Sequence, residues 1–212
     1  MTKKTILFDL DGTLTASGEG IINCAELALK HFGLPIPPRE KMQEFIGPPL
    51  HEIFVTFGVP HDRAMEAVEV YRSRYNTVGK YENYPYPGIR KMLAALQNAG
   101  HRLLVATSKP ETLAIDILEH FDLAQFFDKI CGASLDTSRS SKDSVIAYLL
   151  ASCPNDSTMI MVGDTHYDVL GAAAHGIAAI GVSWGYGEVA KMQQAGAAAI
   201  VDTVDALYAL LK

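Results

Sequence analysis

Hydrophobic positions along this chain follow two rhythms, and the change from one to the other is abrupt. The first segment, Thr5 to Phe8, is continuously apolar from Ile6, the pattern of a strand covered on both faces in a parallel sheet. It stops at Asp9. From Ala16 to about Tyr86 no strand-like run occurs, and the apolar residues take helical spacing. Ile21, Ile22, Ala25, Leu29 and Phe32 share one helix face, stopped by Gly33 and the proline-rich stretch Leu34 to Pro38. A short helix is predicted over Arg39 to Phe45. A third runs from Ile46-Gly47-Pro48-Pro49 to Gly58, and a fourth from His61 to Val78, with Met65, Val68, Arg72 and Tyr75 along one side.

Beyond Pro85 and Pro87, helix and strand alternate. A helix begins at Pro87, with Ile89, Leu93 and Leu96 on one face before Gly100. Strand Leu103 to Ala106, helix Glu111 to Phe121, strand Lys129 to Cys131, helix Lys142 to Leu150 and strand Met159 to Val162 follow. Helix Thr165 to His175, strand Ala178 to Val182, a further helix, strand Ala198 to Val201 and a terminal helix complete the chain. Such alternation predicts an α/β fold, a doubly wound parallel sheet. The expected division is a Rossmann-like core from residues 1–15 and 87–212, with an inserted all-helical domain from 16–86.

Ligands of such sheets bind outside the carboxyl ends of the strands. Three strands here end in suggestive chemistry: Asp9-Leu-Asp11-Gly12-Thr13, Thr107-Ser108-Lys109, and Gly163-Asp164 with Asp168 beyond. Two carboxylates one residue apart behind a buried strand carry a desolvation cost on the order of several kcal/mol unless a cation or chemistry uses them. Asp9 and Asp164 suit magnesium (Mg2+), a hard cation that takes oxygen ligands. Gly12 permits a sharp turn that brings backbone N–H groups near an oxyanion, and Thr13 adds a hydroxyl. An aspartate can serve as nucleophile in phosphoryl transfer, and Asp11 can give a proton to the leaving oxygen. Thr107 and Ser108 can hydrogen-bond phosphate oxygens, while Lys109 and Lys142 are the candidates to offset charge. Ser140, three residues before Asp143, reads as the start of the helix behind Lys142. Asp168 is open to two roles, because Thr165-x-x-Asp168 is also a capping-box pattern.

Composition narrows the partners. Of 212 residues 49% are hydrophobic, enough for a substantial core, and a net charge of −6 argues against a nucleic-acid polymer. Cys24, Cys131 and Cys153 have neither disulfide-framework nor zinc spacing. The short apolar run near the N-terminus suits neither a signal peptide nor a membrane span. A cytoplasmic protein without a membrane partner is expected, and a small anion held by a metal remains allowed.

The four motifs Asp9-x-Asp11-Gly12-Thr13, Thr107, Lys142 and Gly163-Asp164-x-x-x-Asp168, taken in order, resemble those of the haloacid dehalogenase superfamily across the whole chain. Tyr84-Pro85-Tyr86-Pro87-Gly88, Ile46-Gly47-Pro48-Pro49 and Trp184-Gly185-Tyr186-Gly187 resemble its branch with a helical cap, similar to phosphoglycolate phosphatase and nucleotidase-like relatives. That resemblance implies Asp9 as nucleophile, Asp11 as general acid/base, Thr107 and Lys142 as phosphate binders, and Mg2+ held by Asp9, Asp164 and the Asp11 carbonyl. Asp168 would be a ligand or lie behind one. A small phosphorylated metabolite as partner, and a monomer or homodimer, are implied by the same resemblance. Gly47 and Pro48, in a turn between cap helices, are the expected substrate contacts there, and Trp184 reads as packing. An aspartate two residues after the nucleophile points to phosphate esters over halides. Arg139-Ser-Ser-Lys142-Asp departs from the Lys-Pro common in phosphoglycolate phosphatases, which weakens that substrate assignment.

Overall fold

The computed structural model describes residues 3–136, 138–153 and 158–212. It separates into two compact units, Met1–Ala16 with Pro85–Lys212, and Ser17–Tyr84. The chain leaves and re-enters the first unit side by side: Thr15 bridges Pro85, and the Tyr86 N–H donates to the Leu14 carbonyl at 3.1 Å. Ala16, Pro85 and Tyr86 therefore stand with the sheet, slightly inside the boundaries expected from sequence.

The first unit starts with β1 (Thr5–Phe8). In the second lie α1 (Gly18–His31), α2 (Arg39–Met42), α3 (Leu50–Thr56) and α4 (Ala64–Tyr75). The second and fourth expected helices are each broken by a 3₁₀ turn, Gln43–Phe45 and His61–Arg63. The inward face of α4 is Ala64, Ala67, Val68, Tyr71 and Tyr75, and Met65 points outward at 51% exposure. Aromatic burial decides this: Phe54 lies 6.4 Å from Tyr71, which stacks on Tyr75 at 5.1 Å. A bidentate pair from Arg74 to Glu82, at 2.7 and 2.6 Å, ties the end of α4 to the segment after it.

The first unit resumes with α5 (Ile89–Asn98), β2 (Arg102–Pro110), α6 (Glu111–His120), β3 (Lys129–Ala133), α7 (Lys142–Leu150) and β4 (Met159–Gly163). It closes with α8 (His166–Ala173), β5 (Ala178–Val182), α9 (Val189–Gln194), β6 (Ala199–Val201) and α10 (Val204–Leu211). The six strands are parallel in the order β3-β2-β1-β4-β5-β6. Successive β1 residues face opposite layers, as strand geometry requires. Ile6 and Phe8 join Leu93, Leu96, Ile117 and Leu207 on one face, and Leu7 joins Val145, Leu149, Val169 and Met192 on the other. A strand covered on both sides has no room for polar alternation, hence the unbroken apolar run.

The winding reverses at β1, which pairs with β2 on one side and β4 on the other. Phe8 is level with Val105 and Val162, so Asp9 emerges at the switch point where open α/β sheets bind ligands. Strand β2 runs past the expected end at Ala106, with an irregular register before Pro110, so Thr107 to Lys109 belong to a distorted strand end. Among the described residues no helix is long and apolar enough to cross a membrane.

Candidate active site

Asp9, at the end of β1, is held by Lys142 from the first turn of α7: Nζ donates to Asp9 Oδ1 at 2.6 Å and to the Ala106 carbonyl at 2.9 Å. The same ammonium lies 2.7 Å from Asp168 Oδ1. All three side chains are buried. Burial opposes the charge on Lys142, but Asp168 and Asp9 outweigh it, and its pKa ends above the usual lysine value. The N-cap of α7 is Ser141, one residue later than the sequence suggests. Its extended backbone lets the hydroxyl accept from the Ser144 N–H at 3.2 Å.

Oxygens of Asp9, Asp164 and Asp168 lie within 4.8 Å of one another. Burial pushes the Asp9 pKa up to about 6 against the pull of Lys142, and raises Asp164 well above the ordinary carboxylate value, with Asp168 and Asp9 adding repulsion. A hard divalent cation fits this donor set, because oxygen donors crowded together and short of positive charge are what it neutralises. Asp168 is the least available of the three. Its Oδ2 accepts the Thr165 N–H at 3.0 Å and the Thr165 hydroxyl at 2.9 Å, while Oδ1 faces Lys142. The capping role is present, since Asp168 caps α8 and contacts the lysine, and the residue also stands within the group of oxygens able to hold a metal.

Asp11 is placed apart from this cluster. Lys109 Nζ contacts its Oδ2 at 2.5 Å, and Oδ1 is buried without a hydrogen-bond partner. The Asp11 carboxylate is not among the clustered oxygens and is met by Lys109 as the acid/base candidate; the metal role expected of Asp11 was that of its carbonyl. The expected oxyanion cradle at Gly12 and Thr13 also changes. Both N–H groups are used by the turn itself, Gly12 donating to Thr15 at 2.8 Å and Thr13 to Leu10 at 3.3 Å. The Thr13 hydroxyl donates to Asp164 Oδ1 at 3.3 Å. Thr107 is buried, its Oγ1 accepting the Lys109 N–H at 3.2 Å, and Ser108 is half-buried beside it. Gly47 and Pro48 belong to the helical unit, where Gly47 is exposed with φ +109° and has open space around it.

The segment after β5 contributes residues that the motifs alone did not assign. Tyr186 donates its N–H to Asp164 Oδ2 at 2.8 Å, and Trp184 Nε1 donates to the Thr13 carbonyl at 3.2 Å. Trp184 therefore fixes the turn as well as packing. Glycine is obligatory here for space: a Cβ on Gly12 would lie 2.2 Å from Asp164 Oδ2, and one on Gly185 2.4 Å from the same oxygen and 2.5 Å from the Gly12 carbonyl. Gly185→Ala is expected to displace Asp164, lowering kcat at least about tenfold and destabilising the fold by roughly 1–3 kcal/mol, as overpacking does. Steady-state kinetics and a thermal melt check it; unchanged kcat and melting temperature would remove the steric argument.

The profile of the haloacid dehalogenase-like hydrolases matches residues 6–182. The chain belongs to that family. Relatives include the tyrosine-protein kinase PtkA of Mycobacterium tuberculosis, 46% identical over 183 residues, covering 86% of this chain and 62% of that protein. The chain thus spans about three fifths of the length of those kinase-named relatives. A 5'-nucleotidase of Pseudomonas aeruginosa is 44% identical over 184 residues, covering 86% of this chain and 83% of the other. A phosphoglycolate phosphatase of Caulobacter vibrioides is more distant, 30% identical with 87% and 81% covered. Among solved structures, a predicted phosphatase from Clostridium acetobutylicum superposes with a TM-score of 0.94 at 39% identity over 99% of both chains.

Proposed function

We propose that this family member is a Mg2+-dependent phosphomonoester hydrolase that works through an aspartyl-phosphate on Asp9. The observation that carries the reading is the Lys142 ammonium between Asp9 and Asp168, with Asp164 alongside. A buried carboxylate set at a sheet switch point, with one lysine fixed against the nucleophile candidate, suits phosphoryl transfer, where positioning and charge compensation supply most of the catalysis. Mg2+ held by Asp9 and Asp164 would neutralise charge on the phosphoryl oxygens.

Lys142 engages Asp9 Oδ1, so the other carboxylate oxygen is the one to attack phosphorus. As that bond forms, the bond from phosphorus to the ester oxygen breaks, and Asp11 gives its proton to the departing alkoxide. Asp11 then takes a proton from water, which attacks the acyl-phosphate phosphorus and frees Asp9 and inorganic phosphate. In this reading Thr107 and Ser108 would hydrogen-bond the phosphoryl group, and Lys109, which contacts Asp11, would steady the acid/base residue. The partner is a small phosphorylated metabolite. Closer identity to a nucleotidase than to a phosphoglycolate phosphatase, together with the missing Lys-Pro, ranks nucleoside monophosphates first and phosphoglycolate second. A cytoplasmic setting fits three buried thiols with no disulfide.

The test is phosphate release from a panel of nucleoside monophosphates, phosphorylated acids and sugar phosphates, with Mg2+ and with chelator. Release that requires Mg2+ is expected. Asp11→Asn should form phosphoenzyme from an activated ester yet slow turnover by on the order of 10²–10⁴. Metal-independent release, or full turnover by Asp11→Asn, would overturn the mechanism. Transfer to a tyrosine or sugar hydroxyl without free phosphate would instead make the protein a kinase or mutase.

A further inference from the structure

We propose that Arg139 is a positioning residue that fixes the two phosphate-facing lysine segments, the strand end carrying Lys109 and the α7 start carrying Lys142, at their working separation. The inference rests on the hydrolase reading above and adds a residue to it. Lys142 follows a polar loop, Ser138-Arg139-Ser140-Ser141, that has no proline to fix its backbone. The Lys142 ammonium is held by Asp9, Asp168 and the Ala106 carbonyl, but the backbone that presents it needs its own support.

Arg139 makes contacts in three directions at once. Its Nε donates to the Gly132 carbonyl at 2.8 Å, at the end of β3. Its Nη2 lies 3.5 Å from Glu111 Oε2, at the start of α6 and two residues beyond Lys109. Its guanidinium carbon sits 3.7 Å from the centre of the Tyr148 ring, on α7. The Arg139 main chain closes the loop on itself, its carbonyl accepting the Ser134 N–H at 2.8 Å and its N–H donating to Ser134 Oγ at 3.0 Å.

Glu111 completes the brace by accepting the Gly132 N–H at 3.1 Å. The backbones are already in contact there, since a Cβ on Gly132 would lie 2.5 Å from the Lys109 carbonyl oxygen and 2.6 Å from Glu111 Cα. Half-buried surface pairs usually contribute little to stability. This one joins three segments, two of which deliver lysines to the site, so its effect belongs in catalysis. Misplacing a catalytic group by an ångström from a distance can reduce rate on the order of a hundredfold.

The test is a mutant cycle on hydrolysis of p-nitrophenyl phosphate by the full chain, with Arg139→Met, Lys142→Ala and the double variant. Arg139→Met should lower kcat/KM on the order of ten- to a hundredfold in the Lys142 background. It should cost clearly less when Lys142 is already alanine, because only the Lys109 segment is then left to position. If Arg139→Met fails to give a native circular-dichroism spectrum, Glu111→Gln takes its place: the amide still accepts from Gly132 but loses the ion pair. Losses that multiply, or a single-variant effect within twofold of wild type, overturn the proposal and leave the hydrolase reading intact. A wild-type chain that releases no p-nitrophenol under Mg2+ overturns both.

Discussion

Asp9→Asn is expected to lower kcat by on the order of 10⁴-fold or more while leaving the fold in place, the largest catalytic effect of any single substitution in this chain. The amide oxygen can still accept from Lys142, whose Nζ lies 2.6 Å from Asp9 Oδ1, so the lysine keeps a partner. What disappears is the second anionic oxygen, and with it both the nucleophile and one metal-facing charge. Asp11→Asn differs in kind, because the first step survives with an activated leaving group. The measurement is steady-state phosphate release on the best substrate of the panel, with circular dichroism and a thermal melt as controls. Residual kcat within tenfold of wild type would remove Asp9 from the nucleophile's role, and a collapsed melt would shift the effect from chemistry to folding.

The sheet was legible because burial on both faces leaves a direct trace: β1, β4 and β5 appear as short unbroken apolar runs, and the ends of β1 and β4 carry the carboxylates. Helix faces were less secure. On α4 the sequence offers Met65 and Arg72 at helical spacing as well as Tyr71, and the stacking of Tyr71 on Tyr75 at 5.1 Å, a tertiary fact, selects the face that is buried. Local patterns also misplace by one residue where two candidates compete, as Ser140 and Ser141 do for the α7 cap.

Within the site, the residue types were readable and their pairings were not. Asp11 and Lys109 are separated by a whole domain insertion in sequence yet meet at 2.5 Å. Nothing in the turn Gly12-Thr13 reveals that its N–H groups are consumed internally, since that depends on Leu10 and Thr15 closing over it. Tyr186 contributes a backbone N–H, which no residue type announces. The glycines around it were the available signal: Gly185 and Gly187 would place a Cβ 2.4 Å and 2.0 Å from Asp164 atoms, so the segment is shaped to the carboxylate.

The charge imbalance of that cluster yields the second large effect, on stability. Burial holds the Asp9 pKa at about 6 against 3.8 for an unperturbed group, so between those values the folded metal-free chain binds more protons than the unfolded one. Stability from this group is therefore highest at low pH and falls as pH rises through about 4 to 6. Asp164, raised by burial beside the same carboxylates, adds in the same direction. His101 works oppositely: burial and Lys4 depress its pKa, so its contribution is full above about 6.5 and lost as pH falls. The melting temperature of metal-free protein mixes these terms, but the shift produced by Mg2+ isolates the carboxylates. Saturating Mg2+ at pH 7.5 should raise the melting temperature by on the order of 5–10 °C, and at pH 5 by much less, because protons then compete for Asp9 and Asp164. In Asp9→Asn the difference between the two pH values should shrink. An equal Mg2+ shift at both pH values, or none at 7.5, would show that these buried carboxylates are not where the cation acts.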